Sequence, residues 1–272
     1  MRIRRLGWAG VEIEHEGSKL AIDYIATLGF FEDFWGEEEF RDELVQLEPG
    51  SLDAALVTHL HRDHADPEAI AASVEAGGVV AGPERNRFNS PMQQFAVGQY
   101  EDALIELGID RKTLSAGESL QIGSLSATAC KSVDGVGAEQ VAWLIKAGDE
   151  SVLHCGDTMW HAYWWDIVAE HGAPDVVCLA ANGVSIEFPF NQPPVDWPAD
   201  LTPEQAVDAA YALTAGRLLP MHFTRTYEHD QLYRPIPDAE ARLRAAAEAR
   251  DVELIFPTIG EWLEVSAAKA LA

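Results

Sequence analysis

Two hundred and seventy-two residues, 47% of them hydrophobic, are enough to bury a substantial core, and a single domain over residues 1–272 is the working expectation. Asp and Glu number 45 against 19 Lys and Arg, and a formal charge of −26 repels phosphate backbones. No apolar run approaches the roughly 20 residues a bilayer helix needs, so neither nucleic acid nor membrane is an expected partner. A small-molecule substrate is, and self-association stays open. Only five lysines occur (Lys19, Lys112, Lys131, Lys146 and Lys269), which high-salt adaptation and an Ala/Arg-biased genome explain equally well. Cys130, Cys155 and Cys178, odd in number and far apart, form no disulfide framework, and residues 1–10 hold no apolar segment of signal-peptide length. A reducing, cytoplasmic setting is therefore expected.

The chain opens as antiparallel β structure: Val11 and Ile13 alternate with Glu12 and Glu14, Glu16-Gly17-Ser18 turns, and Leu20 to Ile22 returns. Residues 25–50 break that period with Phe30, Phe31, Phe34 and Trp35 among acids, a helical or irregular excursion. We read these four rings, with Trp160, as an apolar rim or lid over a ligand cleft. Ala54 to Thr58 has the continuous apolar pattern of a strand buried on both faces. A helix follows, with Asp66 as cap, Pro67 in its first turn and Glu68 at its positive end. Further on, the pattern predicts a helix near Tyr100 to Leu107 and strands at 119–122, 125–129, 141–146, 151–154 and 175–179. Thr202-Pro203-Glu204-Gln205 has the form of a capping box and opens a helix to about Ala215, with Gly216 as its stop. A strand at 218–221, an Ala-rich helix at 238–250 and a strand at 252–256 complete the series. Hairpins first and alternating strands and helices later predict sheets layered between helices.

The densest chemical signal is Thr58-His59-Leu60-His61-Arg62-Asp63-His64, between the buried strand and the Pro67 helix. At a strand end His59 and His61 can point the same way, while the turn into the helix carries Asp63 and His64 to a second position a few ångströms off. That suits two adjacent cations held by imidazole and carboxylate, the mixture preferred by Zn²⁺ and tolerated by Mn²⁺ or Fe²⁺. Two other apolar runs end in a ligand-type side chain. Asp157 follows Gly156 after residues 151–154, and His222 follows 218–221. His154 reads as a hydrogen-bonded strand histidine or a substrate contact, and His15, His161, His171 and His229 as surface residues. Cys155 and Cys178 read as small core hydrophobes, and Trp160, Tyr163, Trp164 and Trp165 as a substrate wall or as helix core.

Together, Ile22-Asp23 closing the hairpin, the H-x-H-x-D-H segment, Gly156-Asp157-Thr158 and Pro220-Met221-His222-Phe223 make the sequence resemble the metallo-β-lactamase superfamily, and within it the branch similar to L-ascorbate-6-phosphate lactonase. The resemblance implies an α/β fold, an αββα sandwich of two mixed sheets with the site along one edge. It places a first metal on His59 and His61, a second on Asp63, His64 and His222, and Asp157 as the bridge. It also implies a metal-dependent hydrolase whose metal-bound hydroxide, oriented by Asp63 or Asp157, attacks a lactone or related ester. One or two divalent ions per chain are expected, zinc first among them.

One element of that pattern is missing. The family usually supplies a third histidine roughly 25 residues before the bridging Asp, and here Ala129-Cys130-Lys131-Ser132-Val133-Asp134 stands instead. With only His59, His61 and the shared Asp157, the first position is expected to fill after the second, unless Asp134 or Cys130 swings in. Hydrolysis of a small phosphorylated metabolite, with Arg62, Lys131 or Arg225 as anion partner, is the alternative enzyme reading. A non-catalytic binding protein on a degenerate scaffold is the alternative of another class.

Overall fold

In the computed structural model, which describes residues 1–27, 44–85, 97–187, 197–222 and 236–265 together with 193, 195, 233 and 234, the opening alternation becomes a meander rather than a lone hairpin. Its strands are β1 (Arg2–Gly7), β2 (Gly10–His15) and β3 (Ser18–Ile22). Left-handed Glu16 (φ 47°) and Gly17 (φ 85°) make the β2–β3 turn, and at the second position glycine adopts its φ without the steric cost a side chain would add. The sheet then continues in parallel through β4 (Leu52–Leu56), β5 (Val74–Gly82) and β6 (Lys112–Thr113). The second sheet repeats the plan. β7 (Ser119–Ile122), β8 (Leu125–Lys131), β9 (Val141–Ala147) and β10 (Glu150–His154) run antiparallel, and β11 (Val176–Ala180), β13 (Arg217–Met221) and β15 (Glu253–Leu254) add in parallel. A two-stranded ribbon joins β12 (Ser185–Ile186) to β14 (Tyr233–Arg234), and β16 (Leu263–Glu264) pairs with β1 at the edge of the first sheet.

The period-two pattern assigns each strand residue to a layer. Val152, Cys178 and Leu219 face inward against Ile13, Leu20 and Leu56 of the first sheet. Their neighbours Leu153, Val177, Leu179 and Leu218 face outward. There they bury Trp164 and Ile167 of α3 (Tyr163–His171), Ala206 and Val207 of α4 (Pro203–Ala212) and Leu243 of α5 (Ala239–Arg250). On the other side Ala55, Val57 and Val80 pack with Ile70 of α1 (Pro67–Ser73) and Leu104 of α2 (Gly98–Glu106). The architecture is thus α/β, two mixed sheets flanked by helices, as expected. Among the described residues no helix is long and apolar enough to cross a membrane.

Several expectations shift. The strand at 74–82 is an element the sequence pattern did not predict; an added side chain at Gly78 would meet Val74 and the Asp53 carbonyl at 2.6 and 2.9 Å, so only glycine lets that strand approach. Helix α4 stops at Ala212, and the left-handed residue after it is Thr214 rather than Gly216. Phe30 to Trp35, the expected lid, lies outside the described residues.

Every segment with ligand-type side chains leaves the carboxyl end of a strand: Asp23 after β3, residues 59–64 after β4, Asp134 after β8, Asp157 after β10 and His222 after β13. Parallel pairing and the double reversal from β8 to β10 bring these ends to one edge, where open α/β sheets bind ligands. The indole N–H of Trp143 on β9 ties the layers there by donating to the Val57 carbonyl, 2.9 Å. Helix α4, which follows the edge loop carrying Asp200, is closed by the expected capping box, with Thr202 Oγ1 accepting from Gln205 N at 3.2 Å and Gln205 Oε1 from Thr202 N at 3.1 Å. Thr202→Ala should lower unfolding stability by about 1 kcal/mol with an unchanged denaturant slope; an unchanged midpoint in urea would show that the box carries no stability.

Candidate metal centre

The site is organised around a buried carboxylate, Asp23, held in a left-handed conformation (φ 52°) just past β3. Its Oδ1 accepts the Thr58 amide at 2.7 Å, and its Oδ2 accepts the Thr58 hydroxyl at 2.6 Å and His64 Nδ1–H at 2.7 Å. The single hydroxyl proton of Thr58 is thereby committed, so at 3.0 Å its oxygen accepts from His59 Nδ1–H. Both imidazoles are left with a bare Nε2. His59, His64 and Asp23 cluster tightly enough to suggest a cation among themselves, but these hydrogen bonds already account for that grouping.

His222, left-handed at φ 53° where β13 ends, is oriented in the same manner by Asp200, whose Oδ2 accepts from its Nδ1 at 3.2 Å. The Nε2 atoms of His64 and His222 then lie 2.9 Å apart. Asp157 Oδ1 sits 2.9 Å from the first and 3.0 Å from the second, and Asp63 Oδ2 is 3.7 Å from each. Four electron-pair donors converge with no donor hydrogen assigned among them, an arrangement that needs positive charge at its centre. The spacing is that of ligands about 2.1 Å from one ion.

The second cluster is His59, His61 and Asp157, with Asp134 beside it. Asp134 Oδ2 is 3.7 Å from His59 Nε2 and 3.5 Å from His61 Nδ1, while Oδ1 accepts from Val136 N and Ala138 N at 2.7 and 2.9 Å. His59 Nε2, Asp134 Oδ2 and Asp157 Oδ1 are all buried with no hydrogen-bond partner. Unsatisfied buried polar atoms are rare, and three meeting at one place fit divalent cations in two adjacent positions. All six residues read from the sequence as metal ligands are therefore brought together.

Backbone geometry makes this placement possible. Gly156 adopts a left-handed φ of 61°, and a side chain there would meet the Thr58 hydroxyl at 2.6 Å and Gln140 Oε1 at 2.8 Å. The same Gln140 clamps the turn, accepting from Asp157 N at 3.1 Å and donating to Asp157 O at 3.2 Å.

Three contributors escaped the sequence reading. Trp8, in the β1–β2 turn, donates its indole N–H to Asp63 Oδ2 at 3.1 Å and lies against the His222 ring, centroids 4.4 Å apart. Asp200 and Gln140 carried no motif. His154 donates from Nε2 to the Ala9 carbonyl at 2.8 Å, holding the turn that carries Trp8, and so is a hydrogen-bonded strand histidine. His161 is buried and stacks on Trp164 at 3.8 Å, against the expectation of a surface residue; burial lowers its pKa to about 4. Trp164 belongs to the outer core, whereas Trp160, Tyr163 and Trp165 are exposed. Cys130 also lies in that core with its thiol pushed up to about 12 by burial, and Cys155 and Cys178 are buried as expected. Of the proposed anion partners, Arg62 is engaged by Gln99 and Tyr100, and Lys131 stands 4.7 Å over the Tyr163 ring. Arg225 lies outside the described residues.

The chain matches the family described as "Beta-lactamase superfamily domain" over residues 31–223. Its fold is similar to that of CmlA, a diiron β-hydroxylase from Streptomyces venezuelae (TM-score 0.68, 17% identity, 94% of this chain and 53% of that one), so it spans about half of that protein. It is also similar to Igni18, a metallo hydrolase from Ignicoccus hospitalis (0.63, 18%, 96% and 97%), and to an isothiocyanate hydrolase from Delia radicum gut bacteria (0.63, 15%, 97% and 99%). Curated proteins give no match. At these identities the structures speak for the fold alone.

With protein groups alone, the demand for positive charge appears as proton affinity. Burial opposes charge on His64 and His222, but Asp157, with Asp63 and Asp23 for the one and Asp200 for the other, outweighs it; His64 is raised well above the usual range and His222 to about 10. Asp157 is correspondingly held well below the carboxylate range, where His222 and His64 overcome the opposing effect of burial. A raised histidine pKa stabilises the fold fully below about 6.5, and that contribution is lost as pH rises toward the folded value. A cation replaces these protons, so its apparent affinity should climb roughly tenfold per pH unit for each proton displaced. In chelator-treated protein the Tm should fall from pH 6.5 upward, and the Tm gain on adding Mn²⁺ should grow from pH 6 to pH 8. A gain that does not vary with pH would contradict the site.

Proposed function

This chain belongs to the beta-lactamase superfamily, and we propose that it is a metal-dependent hydrolase acting on a lactone or related ester of a small metabolite. The observation that carries the reading is the pair of adjacent His/Asp clusters that share Asp157 at the carboxyl edge of the two sheets, each able to hold a cation. A divalent ion held there by Asp63, His64, Asp157 and His222 would supply a Lewis acid for an acyl oxygen and would lower the pKa of a water bound to it.

The protein's own groups do the remaining work. Asp23 and Asp200 hold His64 and His222 in the tautomer that presents a bare Nε2, a role known for carboxylates behind metal-binding imidazoles. Asp63 is the most open of the proposed ligands, its side chain 18% exposed, and is the group placed to accept the nucleophile's proton and pass it outward. Trp8 fixes the other side of that exchange by hydrogen-bonding Asp63 Oδ2, so the carboxylate cannot turn away from the centre. Its indole also covers His222 and keeps bulk water from that imidazole.

An ester rather than a phosphodiester is favoured by the net charge of −26 and by the engagement of Arg62 and Lys131 with neighbouring aromatic rings. We place the chain in the cytoplasm, with a small-molecule substrate and without nucleic-acid or membrane partners. Asp157→Ala and His222→Ala should each lower turnover about a thousandfold or more and reduce metal content without unfolding the chain, while His171→Ala does neither. A panel of lactones, aryl esters and bis-aryl phosphates read against these variants tests the reading. Turnover confined to bis-aryl phosphates would overturn the substrate class, and full turnover by the Asp157 variant would overturn the mechanism.

A further inference from the structure

We propose that Asp134 is a metal ligand, completing with His59 and His61 a set of two imidazoles and one carboxylate, and that it tilts this position toward Mn²⁺ or Fe²⁺ relative to an all-histidine set. The inference rests on the two-cation reading above and goes beyond it in naming the missing ligand and the class of ion.

Asp134 divides its carboxylate between two tasks. Oδ1 closes a turn by accepting the amides of Val136 and Ala138 at 2.7 and 2.9 Å. Oδ2 accepts nothing, although the side chain is fully buried. Leaving a buried carboxylate oxygen bare is costly, so it requires a partner of positive charge. The atoms it faces are His59 Nε2, itself without a partner, and His61 Nδ1, at 3.7 and 3.5 Å. His59 cannot donate to it, because its proton sits on Nδ1 against Thr58. His59 Nε2, His61 Nδ1 and Asp134 Oδ2 at these spacings match the edges of a tetrahedron around one ion, roughly 3.4 Å for bonds near 2.1 Å.

The segment is fixed in place. An isolated β-bridge joins Asp134 to Thr158, one residue beyond the shared Asp157. At Gly135 an added side chain would meet the Ala199 carbonyl oxygen at 2.0 Å, so the backbone lies directly against the loop that carries Asp200. Cys130, the other residue able to substitute, points away: its Sγ is 3.9 Å from the Thr128 carbonyl, and its side chain packs in the outer core with Trp164.

With Asp134 included, the two positions become chemically alike. One has His59, His61, Asp134 and Asp157, and the other His64, His222, Asp63 and Asp157. The first is no longer short of a ligand, and the expected order of filling gives way to near-equal occupancy. Oxygen donors suit Mn²⁺, and two histidines with one carboxylate is an arrangement that holds Fe²⁺, whereas a third imidazole suits Zn²⁺.

The test titrates chelator-treated full-length protein with Mn²⁺ and with Zn²⁺, counting metal per chain by elemental analysis and free Mn²⁺ by electron paramagnetic resonance. Asp134→Asn keeps Oδ1 as acceptor for the turn, and Asp134→His supplies the third imidazole. Wild type should bind two Mn²⁺ of similar affinity. Asp134→Asn should keep one and bind the other roughly 100-fold more weakly, with unchanged circular dichroism. Asp134→His should bind two Zn²⁺ but lose at least about tenfold in Mn²⁺ affinity relative to Zn²⁺ at one position. Two Mn²⁺ bound by Asp134→Asn with wild-type affinity would overturn the ligand assignment, and an unchanged Mn²⁺-to-Zn²⁺ ratio in Asp134→His the selectivity. A wild-type chain that binds one ion only would overturn this inference and leave the second position standing, whereas a chain that binds none would overturn both readings.

Discussion

The hydrogen bonds gathered on the Asp23 carboxylate are the constraint on which the site depends. A single buried side chain takes the Thr58 amide, the Thr58 hydroxyl and His64 Nδ1–H, and through Thr58 it sets His59 as well. Two imidazoles on different turns of one loop are thus forced into the same tautomer, each with its electron pair aimed outward from the sheet edge. An unprotonated nitrogen must have its other nitrogen protonated and satisfied, and a carboxylate at the base of the loop provides this in a region with no access to water. The left-handed backbone at Asp23 bends the chain out of β3 so that the carboxylate turns under the neighbouring strand end.

From that anchor the architecture follows economically. Each sheet couples an antiparallel meander to parallel strands, and the arrangement puts several carboxyl ends side by side. The clustered His and Asp side chains lie shortly after such ends, so a rigid sheet rather than a long loop would set the geometry of a metal held there. The loops themselves are tied together: Val141 N to Thr58 O, Leu201 N to Thr158 O and Met159 N to Val133 O connect the segments that carry His59, Asp157, Asp200 and Asp134. Three left-handed non-glycine residues, Trp8, Asp23 and His222, lie at the centre, which is where backbone strain is expected when side-chain placement outweighs local preference.

Much of this was legible in the sequence because the signals were local. Histidines at 59, 61 and 64 with Asp63 follow an apolar strand closely enough that any turn into a helix brings them together. Asp134 was half legible: an Asp before Gly135 reads as a turn residue, and Oδ1 does serve the turn, but the second oxygen's task is decided by a loop 75 residues away. Trp8 and Asp200 were not legible. A tryptophan between Gly7 and Ala9 carries no ligand-type signal, and nothing in the spacing of 22 residues links Asp200 to His222. His161 reads as a surface residue because it has no ligand spacing, whereas its neighbours Trp160, Ala162 and Tyr163 are the signal for burial, and its ring packs on Trp164 within the same short segment.

We propose that this edge holds two cations side by side, sharing Asp157. Anomalous diffraction from crystals grown with Mn²⁺, recorded on both sides of the manganese edge, tests it most directly. Two peaks about 3.5–4 Å apart are expected, one among His59, His61, Asp134 and Asp157 and the other among Asp63, His64, Asp157 and His222. A lone peak, or density away from Asp157, would contradict it.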